Sequence, residues 1–119
     1  MEIDTSKALD MERFRSGNKS FNGVLTLDLT SSSNEYFLYE DLHSVIGVRI
    51  INMGLSCTHF QFANSSLTAD AVMLLCQDLP DRSLEETEGT LVISRNPAVN
   101  QLTENQIAEF TAKNWTLVL

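Results

Sequence analysis

Several short stretches of the chain place an apolar residue at every second position, which is the spacing of a β-strand buried on one face. Leucines alternate with largely polar residues over 24–29, and two phenylalanines alternate over 58–63. The stretch 45–52 is β-branched almost throughout, so we expect Arg49 within it to point to solvent. These patterns predict strands over residues 23–29, 45–52, 58–63, 90–94 and 115–119.

Two later stretches carry the signals of helices. Thr68 is a good N-cap for a helix over residues 69–78, and Pro80 ends it. Thr103 and Gln106 have the spacing of a capping box that opens a second helix. The apolar residues expected on the buried faces are Ala71, Val72, Leu75 and Leu79 in the first helix and Ile107, Ala108 and Phe110 in the second.

The remaining stretches are less patterned. Residues 1–20 form either a short helix near residues 8–15 or an arm that orders only against a partner. Residues 35–42 suit one helical turn or an irregular segment. Acidic residues dominate 81–88, where Arg82 is the one cation, so we expect a solvated connector there. At the end of the second helix, Lys113 suits the helix dipole and Asn114 suits a left-handed cap.

A weak internal repeat relates the two helical units. In each unit, two alternating apolar residues precede an asparagine, a short polar turn and a Leu-Thr pair that opens a helix. The pairs begin at Leu67 and, 35 positions later, at Leu102, which lies within the period of solenoid repeats. The copies are unequal, because Asn64 ends the first strand two positions after its last phenylalanine and Asn96 comes three positions after Ile93.

Residues 91–97, Leu-Val-Ile-Ser-Arg-Asn-Pro, and residues 25–29, Leu-Thr-Leu-Asp-Leu, resemble the repeats of leucine-rich repeat proteins. Residues 64–119 are similar in particular to the C-terminal end of bacterial and phage leucine-rich repeat proteins of the Bacteroidetes type, with a closing strand that reads Lys-Asn-Trp-Thr-Leu over 113–117. The resemblance implies an α/β fold over residues 21–119. It would be a short leucine-rich-repeat-like solenoid with about four to five mostly parallel strands, helices on the opposite side and an asparagine that satisfies the turn backbone.

Charge and hydropathy narrow the classes of partner. The chain has 119 residues and a formal net charge of −8, without the clustered Lys and Arg that would neutralise a nucleic-acid backbone. No apolar run approaches the about 20 residues of a membrane helix, so we expect no membrane insertion. The polar N-terminus does not read as a signal peptide, so the expected location is the cytoplasm or a larger assembly.

Candidate chemistry is sparse. Cys57 and His59 could supply half of a zinc site, but four ligands are needed, and nothing orients them as a nucleophile pair. We expect Cys57 and Cys76 to be reduced and buried. Asp70 and Glu104 open helices, where the helix dipole explains an acidic residue. The sequence therefore predicts no metal, no cofactor and no enzymatic activity.

The remaining function is contact with another protein. A parallel sheet exposes alternate strand residues, and we expect these to form one adjacent row that binds or assembles with a protein partner, for example in a phage virion or at a cell surface. A homo-oligomer is a second option, because a short solenoid has open ends. The alternative is a small acidic inhibitor or immunity-type protein that binds a basic partner. The residues expected in the row are Thr26, Asp28, Arg49, His59, Gln61, Thr90 and Val92.

Overall fold

A computed structural model describes residues 13–15, 23–30, 35–40 and 45–119 of the chain. Strands dominate the first half of this part, and two helices lie in the second half. The strands are β1 (Arg13–Arg15), β2 (Gly23–Asp28), β3 (Tyr36–Glu40), β4 (Val45–Ile51), β5 (His59–Ala63), β6 (Gly89–Val92) and β7 (Trp115–Val118), and the helices are α1 (Ala69–Asp78) and α2 (Glu104–Ala112). A 3-10 helix, Pro97–Asn100, precedes α2.

The strands form two parallel sheets, which confirms the predicted α/β class. The larger sheet has the order β1-β3-β5-β6-β7, and β2 pairs with β4 in a second, two-stranded sheet. The chain connects β1 to β3 through β2, and β3 to β5 through β4. It then connects β5 to β6 through α1, and β6 to β7 through the 3-10 helix and α2. The five parallel strands agree with the predicted four to five, but the side predicted to carry helices also carries the two-stranded sheet. Parallel neighbours need a crossover segment, and two of the crossovers are themselves strands.

One apolar core joins the two sheets and the helices. Aromatic side chains of β3 and β5 form its centre: the Tyr39 ring stands edge-on to those of Phe60 and Phe62, with centroid distances of 5.4 and 6.0 Å. The leucines of β2 belong to this core as predicted, and so does Phe110 of α2. Contributors from the other elements are Val48, Ile50, Val72, Leu75, Leu91 and Trp115.

Three local predictions are corrected. Residues 36–40 form β3 rather than a helical turn, with Phe37 and Tyr39 buried. Residues 13–15 are a strand, so a helix does not extend through them, and residues 1–12 lie outside the described part. Ala108 of α2 is exposed, because Phe110 lies on the opposite side of the helix and alone is fully buried there.

Both helix starts are confirmed, and α1 is also capped from the following turn of the chain. The Thr68 hydroxyl accepts the Ala71 N–H at 3.3 Å, and the Gln101 side chain accepts the Ala69 N–H at 2.9 Å. Lys113 is the C-cap residue of α2, and its backbone N–H donates to the Phe110 carbonyl at 3.0 Å. Its Nζ donates to the Cys76 and Leu79 carbonyls at the end of α1, at 2.7 and 2.9 Å. The two helical units are therefore coupled at both ends of α1.

Candidate partner-binding face

The side of the five-stranded sheet turned away from the core presents two rows of side chains. The strand registers place Tyr36, His59, Thr90 and Thr116 side by side in one row. A second row, two residues further along each strand, consists of Leu38, Gln61, Val92 and Val118. All eight are half-buried or exposed, whereas the residues between them in β3, β5 and β6, which are Phe37, Phe60 and Leu91, are buried. We call these eight residues the outward face.

The two rows differ in chemistry. The first row is aromatic and hydrogen-bonding, with the Tyr36 and His59 ring centroids 6.0 Å apart. The second row is aliphatic apart from Gln61. Over β3, β5, β6 and β7, no carboxylate, amine or guanidinium belongs to either row, although the chain carries 16 acidic and 8 basic side chains. The register of β1 places Arg13 beside Leu38, at the edge of the second row. An uncharged, partly apolar strip is the composition expected at the centre of a protein interface.

Charge lies instead at the two ends of the outward face. Glu35 and Glu88 immediately precede β3 and β6 and are exposed at the edge where the parallel strands begin. The Thr116 hydroxyl donates to Glu88 at 2.8 Å, which holds that carboxylate beside the first row. Arg95 is exposed where β6 has ended, with a left-handed φ of 61°. Carboxylates therefore lie where the strands begin, whereas both Glu40 of β3 and Arg95 lie where the strands end.

The predicted binding residues do not form one row. His59, Gln61, Thr90 and Val92 belong to the outward face and are adjacent in register. Thr26, Asp28 and Arg49 belong instead to the two-stranded sheet, because β2 and β4 are crossover segments. The sequence reasoning missed the flanking members, which are Tyr36, Leu38, Thr116 and Val118. Their signal was the alternation with Phe37, Tyr39 and Trp115, which are buried.

Arg49 is exposed as predicted but bound to a neighbour. Its guanidinium donates to both carboxylate oxygens of Asp78 at 2.7 and 2.9 Å, and the Ile50 N–H donates to the same carboxylate at 2.9 Å. Burial would raise the pKa of Asp78, but the hydrogen bonds from Arg49 and Ile50 and the nearby positive charges outweigh it and lower that pKa. These contacts clamp the C-terminal end of α1 to β4. Their role is structural.

The clamp predicts an acid-sensitive contribution to stability. Because the pKa of Asp78 is lower in the folded chain, the contribution is complete above the ordinary aspartate pKa of about 3.9 and is lost as the pH falls through the folded value. We expect Asp78→Asn to cost about 1 kcal/mol of unfolding free energy at pH 7, given that Arg49 is exposed, and less at pH 3. Urea unfolding at both pH values measures this, with Glu86→Gln, an exposed carboxylate of the connector, as the unaffected control. An equal cost at both pH values would contradict the assignment.

A groove that is separate from the outward face lies between the two-stranded sheet and α1. It has a volume of about 300 Å³, and Val24, Ile46 and Leu74 at its sides are 43, 58 and 44% exposed. Gly47 also lines the groove, and a Cβ atom at this position would be in van der Waals contact with the Val24 side chain. Asp28, further along β2, accepts hydrogen bonds from the Thr30 hydroxyl and amide, which lower its pKa. This carboxylate is engaged in the local turn.

The acidic connector differs from its prediction at one residue. Its carboxylates are exposed as expected, but Arg82 is 3% exposed. The guanidinium donates to the carbonyl oxygens of Leu55, Cys57 and Thr87, the last through two nitrogens. No described carboxylate forms an ion pair with it. Arg82 thus joins the connector to the loop before β5 through backbone carbonyls.

The two cysteines are free and buried, as predicted. Burial raises the pKa of the Cys57 thiol to about 11, and it also raises the pKa of Cys76. Neither thiol is therefore ionised near neutral pH. Across the described ranges, no group of three or more His, Cys, Asp and Glu side chains is placed to hold a metal ion. None of the helices in those ranges has the length and apolar character needed to cross a membrane.

We compared the chain with protein-family models, with curated proteins and with solved structures. None of the three comparisons gave a match.

Proposed function

We propose that the chain is a non-enzymatic protein-interaction or assembly module that binds a protein partner through the outward face. The observation that carries this proposal is the pair of uncharged rows, continuous over β3, β5, β6 and β7. The face combines aliphatic side chains with an aromatic–imidazole pair and hydroxyls, so it offers both apolar area and hydrogen bonds. It contains no carboxylate, amine or thiol.

We further propose that the fold is a short solenoid of the leucine-rich-repeat type. Three features support this assignment. The larger sheet adds its strands in chain order, with one crossover element between each pair except β6 and β7, which are joined by the 3-10 helix and α2. Asn64 and Arg95, which follow β5 and β6 at matching register, both have left-handed φ values of 51° and 61°. Asn96 binds the Phe62 carbonyl and the Leu67 N–H, which lie on either side of the turn at Asn64. This is the role expected of the asparagine that satisfies the turn backbone in a leucine-rich repeat.

The proposal is tested by placing a large charge on the central strands. We expect Gln61→Arg and, separately, Val92→Arg to weaken binding at least tenfold, equivalent to about 1.4 kcal/mol, because each puts an unpaired guanidinium inside the contact. Both positions face away from the core, so Tm should stay within about 2 °C of the unmodified chain. The partner is first identified by affinity capture and mass spectrometry, and affinity is then measured with the purified partner by calorimetry.

Ile46→Arg is the matched control, because Ile46 is 58% exposed on the two-stranded sheet. It should bind like the unmodified chain. The acidic-inhibitor alternative makes the opposite prediction. The connector exposes Glu85 and Glu86 to solvent, next to Leu84, which is 99% exposed. If both arginine variants bind normally, while Glu85→Gln with Glu86→Gln abolishes a strongly salt-dependent binding, the connector and not the outward face is the contact.

A further inference from the structure

The five-stranded sheet ends at β7, and no described residue pairs with the outer side of this strand. The Asn114 and Val118 carbonyls point towards β6, where they accept the N–H groups of Gly89 and Ile93 at 2.9 Å. Successive residues of a strand direct their backbone groups alternately to its two sides. Trp115 and Leu117 therefore present their N–H and C=O groups to the open side, ready to pair with another strand.

Apart from its short length of four residues, this edge lacks the usual protection against pairing. Exposed edge strands are normally blocked by charged residues, proline, a bulge or a very short length. Residues 115–119 contain no charged side chain, no proline and no glycine, and β7 pairs with β6 without a bulge. Val118 and Leu119 are 40 and 48% exposed. In a chain with a net charge of −8, the edge offers an uncharged approach for a second molecule.

One flank of α2 lies at the same end of the molecule as the unpaired side of β7. Lys113 and Ile107 lie three residues on either side of the buried Phe110, so they occupy opposite flanks of the helix. Lys113 reaches α1 through the Cys76 and Leu79 carbonyls, which places Ile107 on the flank away from α1. Ile107 is half-buried, and so is Leu117, which packs against the core from β7. The end of the molecule therefore exposes both an unpaired strand and incompletely covered apolar side chains.

We propose that a second copy of the chain covers this end, with β7 of each copy paired antiparallel about a two-fold axis at Leu117. In this register Leu117 exchanges both backbone hydrogen bonds with its counterpart, and Trp115 lies opposite Leu119. The contact is isologous, so the same uncharged surface serves both copies. It joins two larger sheets into one of ten strands, and the two outward faces become continuous. The association does not depend on the partner-binding role.

Mass as a function of concentration tests the association with the purified 119-residue chain alone. Light scattering and sedimentation should give twice the 13.3 kDa monomer mass at high concentration and the monomer mass on dilution. The Leu117 amide should exchange with solvent more slowly as the concentration rises. The amides of Thr116 and Val118, which point to β6, should be protected at all concentrations. This internal comparison needs no variant.

Leu117→Pro removes an N–H that points to the open side, so it should give a monomer at every concentration while the hydrogen bonds to β6 remain. Ile46→Lys removes an exposed isoleucine elsewhere and should dimerise normally. A monomer mass for the unmodified chain at all concentrations would overturn the proposal without affecting the proposed partner binding. A dimer in which Leu117 exchanges at a concentration-independent rate would overturn the assigned interface.

Discussion

Replacing Gly89 by alanine is expected to lower the unfolding free energy by about 2–4 kcal/mol and Tm by about 10 °C. A Cβ atom at this position would lie 2.5 Å from two ring carbons of Trp115, closer than real contacts allow. The indole cannot move easily, because Trp115 is 1% exposed and its Nε1 donates to the Pro80 carbonyl at 2.8 Å. The measurement is urea unfolding followed by Trp115 fluorescence.

The sign of this effect separates packing from backbone preference. Alanine is normally better than glycine in ordered structure because it restricts the unfolded chain, and the φ of Gly89 lies outside the left-handed region. Gly54→Ala is the matched control, since the nearest atom to its added Cβ is the Ser56 hydroxyl at 3.8 Å. It should change stability by less than about 1 kcal/mol. If Gly89→Ala were as mild as Gly54→Ala, Trp115 would not be held against β6 as described.

Removing the ring should relieve the clash. In the Trp115→Leu background, Gly89→Ala should cost much less than in the unmodified chain, although Trp115→Leu is itself destabilising through the lost core volume. Equal costs of Gly89→Ala in both backgrounds would show that the two residues are not coupled. This cycle uses unfolding free energies only, so it is independent of any partner.

The local signals of the sequence predicted the second half of the fold well. Thr68 and Pro80 bracket α1 so closely that its predicted bounds, 69–78, are those observed. The Thr103–Gln106 capping box is present, and Asn114 has the left-handed φ of 62° expected of a cap. Each of these signals depends on contacts within a few residues of the chain. Such contacts can be read without knowing the rest of the molecule.

The sheet assignment could not be read in the same way. The leucine alternation in β2 looks like the phenylalanine alternation in β5, and only the three-dimensional path makes one a crossover segment and the other a member of the larger sheet. β3 was hidden because Tyr36 and Leu38, on the outward face, are as apolar as the buried residues between them. These errors divided the predicted binding row between two surfaces. They also left half of the outward face unrecognised.

Arg82 illustrates a second limit. In a connector with several carboxylates, a cation is expected to pair with them at the surface. The carbonyls that bind it belong in part to residues 55 and 57, which lie far away in the sequence. Burial of a charged group depends on such long-range partners. Composition therefore predicted the character of the loop but not the position of its one basic side chain.

Loss of the Asn96 amide is expected to be the other large effect. The Asn96 side chain is 4% exposed, and its Nδ2 donates to the Phe62 and Ile93 carbonyls at 2.7 and 3.0 Å. Its Oδ1 accepts the Leu67 N–H at 3.0 Å. Asn96→Ala leaves these buried groups unpaired, so we expect a loss of about 3 kcal/mol in unfolding free energy. Thermal and urea unfolding measure it.

Asn100→Ala, at an exposed position of the 3-10 helix, is the control and should cost less than about 0.5 kcal/mol. Asn96→Asp separates the two halves of the amide, because it keeps the acceptor for Leu67 but turns a carboxylate oxygen towards two carbonyls. It should be at least as damaging as alanine at pH 7 and less damaging at pH 4, where a protonated carboxyl can donate. A cost near zero for Asn96→Ala would contradict the bridging role.

That role also revises the repeat. Counting on from the register of β5 and β6, the position that matches Asn96 is Ser65, and Asn64 matches Arg95 instead. Ser65 is buried, and its hydroxyl donates to the Ala63 carbonyl at 3.2 Å, a bond within its own turn. The Asn96 side chain reaches the first unit through its hydrogen bonds with the Phe62 carbonyl and the Leu67 N–H. Because a side-chain amide can form more hydrogen bonds than a hydroxyl, Ser65→Ala should cost less than Asn96→Ala in the same unfolding experiment.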